Sequence, residues 1–266
     1  MLLPAAFPAT GAAPELFVAP GPEGIRGALA IAWVAHGFSV LVHVAAPWRR
    51  QGLGSALIEA AAASALGETA ALRAWMPVSE GSGAAAFLQA AGFRNMRRLL
   101  VFETDAIRFA ETMHGLLRRA QAGGRVSRHF QLATLAAAPL RGVIDLVAPE
   151  FSTLAHDVAA RMAPDQHDGY DRALSLVLLH DGTVVGAMLC RRFDDLVEID
   201  INVVDPALRH GPANLILLEG MARMSQAAGI RRFRFSCEEH VRDTLNLGRR
   251  AGAIRMPNQL LLARPL

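Results

Sequence analysis

The chain has 266 residues, 52% of them apolar and 19% charged, which describes a well-cored α/β protein and excludes a disordered one. All 27 basic residues are arginine, and a net charge of +3 over this length is too thin for a nucleic-acid surface while suiting a polyanionic small molecule. The two cysteines, Cys190 and Cys237, have no C-x-x-C spacing, so neither a disulfide framework nor a zinc site is indicated.

Met1 to Pro20 is apolar but uncharged up to Glu15 and broken by Pro4, Pro8 and Pro14. It lacks the basic start and unbroken apolar stretch of a signal peptide, and no run reaches the roughly 18 apolar residues of a membrane span. The expectation is a cytoplasmic protein without a membrane or nucleic-acid partner. Strands are predicted at 15–19, 28–34 and 39–44, a helix at 55–66, a strand at 71–76, a helix at 83–91 and a strand at 98–103. Residues 106–122, apolar at helical spacing and ended by Gly123-Gly124, predict a bridging helix.

Between the third strand and the first helix lies Pro47-Trp48-Arg49-Arg50-Gln51-Gly52-Leu53-Gly54-Ser55. A glycine-rich turn at a helix N-terminus gathers backbone N–H groups where the macrodipole favours an anion. Gly52 and Gly54 let that backbone approach a ligand closely, so the ligand predicted here carries phosphate. A Walker A loop is excluded because the chain has no lysine, and a dinucleotide loop because Leu57 stands where its third glycine belongs.

What remains, Arg49-x-x-Gly52-x-Gly54, resembles the pyrophosphate loop of the GNAT superfamily of acyl-CoA N-acyltransferases, R/Q-x-x-G-x-G/A. Ala86-Phe87-Leu88-Gln89-Ala90-Ala91-Gly92-Phe93 resembles the helix end, FYEKLGF, that closes that core. The resemblance implies acetyl-CoA or another acyl-CoA as co-substrate and a small-molecule or peptide amine as acceptor. It also implies that the coenzyme is bound along Val42 and Val44 and by Arg49, Arg50, Gln51, Gly52, Leu53, Gly54 and Ser55. The common tyrosine of the closing helix is Leu88, and the common glutamate of the strand before the loop is Ser39. His43 is the best local general base by its ordinary pKa near 6.5, the alternative being a packed histidine bonded to a carbonyl. Ser39 shares its sheet face by strand alternation, and Glu80, with Ser82, stands in the loop before the closing helix. His43, Ser39 and Glu80 are the catalytic candidates. A catalytically inactive acyl-CoA sensor or assembly module is the competing expectation.

The plan recurs. Val203 to Asn214 repeats Val44 to Ser55 with Gly211 answering Gly52 (211 − 52 = 159), and Gly252 answers Gly92 (252 − 92 = 160), which points to duplicated domains. The second half predicts a strand at 130–134, helices at 138–147 and 155–162, and a hairpin of 174–180 and 184–191 around Asp181-Gly182. A strand at 197–204, a helix at 214–228, a strand at 232–236, a helix at 242–251 and a closing strand at 259–263 follow. Leu208 aligns with Arg49 at this offset, and Pro212 removes an amide from the second loop. Glu198 and Asp200 either face a pocket or pair with Arg232 or Arg234, Cys190 reads as a small core residue, and Tyr170 precedes the hairpin.

The sequence thus predicts an α/β (α+β) protein of two GNAT-like mixed-sheet units in tandem, the first lacking the leading strand and two helices. The expected division is 1–105 with the coenzyme loop, 106–124 as bridge and 125–266 with a degenerate loop; monomer and homodimer both stay open. The acceptor pocket is expected between the units.

Overall fold

The computed structural model describes residues 14–34, 37–65, 71–150, 155–163 and 169–266. They form a mixed α/β fold of two compact units, one made of 1–99 with 257–266, the other of 100–256.

In the first unit the strands are β1 (Glu15–Gly21), β2 (Gly24–Val34), β3 (Gly37–Val44), β4 (Ala71–Ala74), β5 (Val78–Ser79), the start of β6 (Arg94–Asp105) and β13 (Gln259–Pro265). Their order is β1-β2-β3-β4-β13-β6, with β5 also on β13. β1, β2 and β3 form an antiparallel meander, whereas β3 and β4 run parallel. A parallel pair cannot be joined by a tight turn. Helix α1 (Leu53–Ala65) occurs in the crossover, and α2 (Gly83–Ala90) follows, its first turn capped by the Ser82 hydroxyl accepting from the Ala85 amide at 3.1 Å.

Leu57, Ile58 and Ala61 of α1 pack with Leu29, Ile31 and Val40 of the sheet and with Leu260 and Leu262 of β13. Strand alternation turns Leu16 and Val18 to the other face, where they are exposed. Each fully buried Leu or Ile side chain stabilises by about 1.5–3 kcal/mol, so β13 is part of this core. That corrects the sequence expectation that 259–263 closes the second half's sheet. Arg264 fastens the strand further, donating to both Glu59 carboxylate oxygens at 2.6 and 2.9 Å.

The second unit holds the rest of β6, α3 (Ala106–Ala122), β7 (Phe130–Thr134), α4 (Leu140–Glu150), α5 (Ala155–Met162), β8 (Leu176–His180), β9 (Thr183–Phe193), β10 (Leu196–Val204), α6 (Ala213–Ala227), β11 (Arg232–Glu238), α7 (Arg242–Arg250) and β12 (Ile254–Arg255). The order is β6-β11-β10-β9-β8-β7, with β12 on β6. The predicted hairpin forms at Asp181 and Gly182, both at positive φ (49° and 80°), as a tight two-residue connection requires. Two cores flank the sheet. Phe109 and Met113 of α3 pack with Leu217 and Met221 of α6 and with Phe233. Val143, Val147, Val158 and Met162 of α4 and α5 pack with Val177, Leu189 and Ile201. Helix α3, expected as a bridge, is therefore a core element of this unit. Its first turn is capped by Asp105, which accepts from the Ile107 and Arg108 amides.

Two outcomes follow. Phe233→Ala, at a fully buried position touching Phe109, loses about 3–5 kcal/mol by chemical denaturation. The Arg264 guanidinium, through its hydrogen bonds first, holds the Glu59 carboxyl below the usual carboxylate range. The pair's contribution is therefore present above the ordinary glutamate pKa of about 4.3 and is lost as pH falls through the folded-state value. Glu59→Gln lowers Tm at pH 7, and the gap to the wild type closes on acidification below that range.

Candidate functional site

The site at the head of α1 follows from where β3 and β4 part. They pair from Phe38 opposite Leu72 to Val40 opposite Ala74, with a last bond from the Trp75 amide to the Val40 carbonyl at 3.0 Å. Beyond that, β3 runs on to Val44 with β2 alone as partner. Alternation decides which groups face the gap. The Ala45 amide bonds the Arg26 carbonyl of β2 at 2.9 Å, whereas the Val40 carbonyl faces β4. The backbone groups of Val42 and Val44 share the parity of Val40 and turn toward the side β4 has left.

The turn that follows is a short 3-10 segment, Ala46–Trp48, and then two left-handed residues, Arg50 (φ 61°) and Gly52 (φ 79°). Alternation of this kind folds successive amides around a concavity that attracts anions. The amides from Arg50 to Ser55 donate to no acceptor among the described residues, and the first bond of the helix is that from the Ala56 amide to the Gly52 carbonyl. Gly54 lies against α2: a Cβ there would stand 2.9 Å from the Phe87 ring and 3.5 Å from a Val44 methyl. The spacing glycine-x-glycine thus serves two different needs, a left-handed turn at Gly52 and close packing at Gly54.

Arg49 donates through Nε to the Val44 carbonyl at 2.9 Å, tying the loop to the strand end. Gln51 bonds the Pro47 carbonyl at 3.0 Å. Sequence reading missed Arg26, whose guanidinium stacks on Trp48 at 4.2 Å with a buried, unpartnered Nε. The only sequence signal for it was an arginine opposite the loop in the hairpin register.

The catalytic candidates fare unequally. Ser39 is buried and His43 exposed, both on the face of β3 turned away from α1. The His43 imidazole makes no hydrogen bond among the described residues, so the carbonyl-bonded alternative is not what the chain adopts. Glu80 is exposed and bound to Arg98 at 2.7 Å and to the Asn258 amide, while the Ser82 hydroxyl is occupied as the α2 cap. Among the described residues no three His, Cys, Asp or Glu side chains cluster as a metal would need.

The second unit repeats the construction closely enough to correct the alignment. Arg209, not Leu208, occupies the arginine position: its Nε donates to the Val204 carbonyl at 3.2 Å as Arg49 does to Val44. The offset is 160 throughout this segment (209 − 49), and the Ile216 amide bonds Pro212 as the Ala56 amide bonds Gly52. Here too the parallel pair, β10 with β11, stops early, at Ile199 opposite Phe235. The loops themselves differ. No residue between Asp205 and Ala213 has positive φ, the Gly211 amide is used by the Leu208 carbonyl at 3.0 Å, and Pro212 has no N–H.

Glu198 and Asp200 are paired. Glu198 accepts from Arg191 at 3.0 Å and lies 3.6 Å from Arg234. Asp200 accepts from the Tyr170 hydroxyl and from Arg161, each at 3.2 Å. Burial, then the Asp200 charge, pushes the Tyr170 hydroxyl pKa up. Arg232 goes instead to Asp195 and Glu103.

A strand parted from its parallel neighbour thus ends beside an amide-lined turn at the head of the crossover helix, an arrangement that attracts anions. The family model described as the acetyltransferase (GNAT) domain matches residues 94–242, more than half of the sequence, and the chain belongs to that family. The matched segment runs from β6 into α7 and does not include the Arg49 loop. The chain is similar in fold to a GCN5-related N-acetyltransferase from Sphaerobacter thermophilus (17% identity, TM-score 0.60, 94% of this chain and 80% of that one). It is likewise similar to a tandem GNAT protein from the clavulanic acid biosynthesis pathway (19% identity, TM-score 0.65, 95% and 83%). No curated protein matches. No described helix is long and apolar enough to cross a membrane.

Cys190 gives a direct check on the second unit's interior. Burial pushes its thiol up to about 12, against a weaker opposing hydrogen bond with Ser175, so it is a packed side chain rather than a nucleophile. In the folded protein at pH 8 it resists iodoacetamide, and it is alkylated once denaturant is added; mass spectrometry of the Cys190 peptide reads both states.

Proposed function

We propose that the chain is a tandem pair of GNAT units acting as an acyl-CoA-dependent N-acyltransferase, with acetyl-CoA the expected donor and a small-molecule or peptide amine the acceptor. The coenzyme's pyrophosphate is assigned to the first unit, on the amides from Arg50 to Ser55. One observation carries that assignment: only the first loop combines left-handed residues, Arg50 and Gly52, with a run of amides that have no internal acceptor. The second loop keeps the arginine and the unbonded amides of Ala213 to Leu215, but its run is interrupted by the Gly211 amide, which bonds Leu208, and by Pro212, and it has no left-handed residue.

Acyl-CoA supplies an activated carbonyl and a thiolate leaving group. The chain's own part is to bind, orient and move protons. Val42 and Val44 line the parted edge, and the Val44 N–H is the donor placed for a developing oxyanion. His43 is the candidate base for the acceptor amine, with Ser39 on the same face. Glu80 would have to leave Arg98 to take part. The second reading, a binding module without turnover, draws on Leu88 and Ser39, which stand where the family commonly has tyrosine and glutamate.

Gly52→Asp tests the site, because a Cβ at Gly52 meets nothing within 4 Å and the new carboxylate falls among the candidate anion-binding amides. Gly52→Asn, which imposes the same left-handed strain at φ 79° without the charge, is its control and retains more affinity. Calorimetry is expected to show acetyl-CoA affinity reduced at least tenfold by Gly52→Asp and unchanged by Gly211→Asp. The reverse pattern would move the coenzyme to the second unit. Thiol release from acetyl-CoA with a panel of amines, lost in Gly52→Asp, distinguishes the enzyme from the binding module, which takes up coenzyme without releasing thiol.

A further inference from the structure

The second unit contains a cleft of about 780 Å³ that the coenzyme assignment does not use. One face of α3 forms a wall: Glu111, Gly115 and Arg119 succeed one another at intervals of about one helical turn, with Leu116 beside them. Arg125, held against the end of α3 by a bond from its amide to the Ala120 carbonyl at 3.0 Å, closes one end. Leu215 of α6 and Arg250, the last residue of α7, complete it.

Its charge distribution is unbalanced. Arg119, Arg125 and Arg250 have no carboxylate partner among the described residues. The arginines around this unit's sheet are matched, Arg161 with Asp200, Arg191 with Glu198, Arg232 and Arg234 with Glu103. Others, such as Arg118, Arg223 and Arg249, are not matched among the described residues; what distinguishes the three is that they line one cleft. Three guanidiniums around one cleft repel each other and raise the local potential, which an incoming anion relieves.

The chemistry of that anion can be narrowed. Arginine's planar fork matches phosphoryl oxygens bidentately, and three forks suit more charge than one carboxylate brings. The volume lies in the range of small-molecule sites, roughly 300–1,000 Å³. Leu116 and Leu215 offer apolar surface to a flat ring, and Gly115 presents no side chain between them and Glu111. Glu111, about 12 Å along the helix axis from Arg119, is an acceptor for hydroxyl or amino donors at the far end. We propose that this cleft is a second ligand site, for a nucleotide carrying at least two phosphoryl groups. Its lining shares no residue with the Arg50–Ser55 loop, and the proposal does not depend on the assignment of that loop.

Two sources bring this chemistry, a free nucleoside diphosphate and the nucleotide end of coenzyme A. The test is calorimetric titration of the full chain carrying Gly52→Asp, which removes the first loop as a diphosphate site, with ADP and with coenzyme A. ADP is expected to saturate one site, weakened at least tenfold by the double substitution Arg119→Ala/Arg250→Ala and several-fold by raising salt from 0.15 to 0.5 M. Acetyl-CoA affinity at the first loop stays within twofold in the double variant with Gly52 intact, and Tm and circular dichroism confirm that it is folded. The more conservative Leu116→Ala weakens ADP without altering charge. Coenzyme A binding in the Gly52→Asp background that is lost on adding the arginine substitutions identifies the coenzyme as the source; ADP binding without it identifies the free nucleotide. The proposal is overturned if neither probe binds in the background titrations, or if the arginine and Leu116 variants bind ADP as the Gly52→Asp background does.

Discussion

A parallel strand pair that ends early governs the rest of this structure. β3 and β4 must be joined by a crossover, and the crossover is α1, packed on the sheet through Leu57 and Ile58. That packing sets the helix N-terminus at the end of β3, where β4 has already departed. The edge of Val42 and Val44 and the unbonded amides at the head of α1 are then brought together by one constraint. Gly54 belongs to the same constraint, because a side chain there would collide with Phe87 on α2.

The second unit shows how much of that architecture survives without the loop chemistry. Its strands part, its helix starts at the equivalent place, and Arg209 ties the turn to Val204 as Arg49 ties the first to Val44. The difference lies in backbone conformation. Positive φ at Arg50 and Gly52 aims amides outward, while the Gly211 amide turns inward to Leu208. An arginine and a glycine in similar spacing are therefore insufficient to reproduce the left-handed turn of the first loop. The larger second unit also carries helices on both faces of its sheet and commits its sheet carboxylates to arginines, which stabilise the strands at the cost of free acid–base groups. Its cleft arginines, by contrast, are left uncompensated.

Much was legible from the residues. Alternation and helical spacing located most strands and helices to within a few residues, because those patterns report which face each side chain buries. The two-residue strands β5 and β12 are too short to carry such a pattern. The Asp181-Gly182 turn was legible because few residues accept its positive φ. The amide-rich turn at the head of α1 was legible because glycine spacing and a following helix are local properties. The repeat was legible too, but its register slipped by one at Arg209, since proline and glycine could be matched at 159 while the carbonyl that Arg209 bonds lies elsewhere in the chain.

What the sequence by itself determined is therefore local: the order of elements, the turn types and the amide-rich loop. Only the tertiary structure decided which edge β13 would join. A strand with three consecutive leucines, Leu260 to Leu262, fits many sheet edges, and here β4 and β6 with the Glu59–Arg264 pair supply one. Tertiary structure also decided which charges are spent. Arginine reaches many acceptors, so nothing in the spacing shows that Arg98 takes Glu80 or that Arg191 and Arg234 take Glu198, while Arg119, Arg125 and Arg250 line a cleft without pairing with its Glu111. Periodicity is written in neighbouring residues; partner choice depends on distances that exist only after the chain has folded.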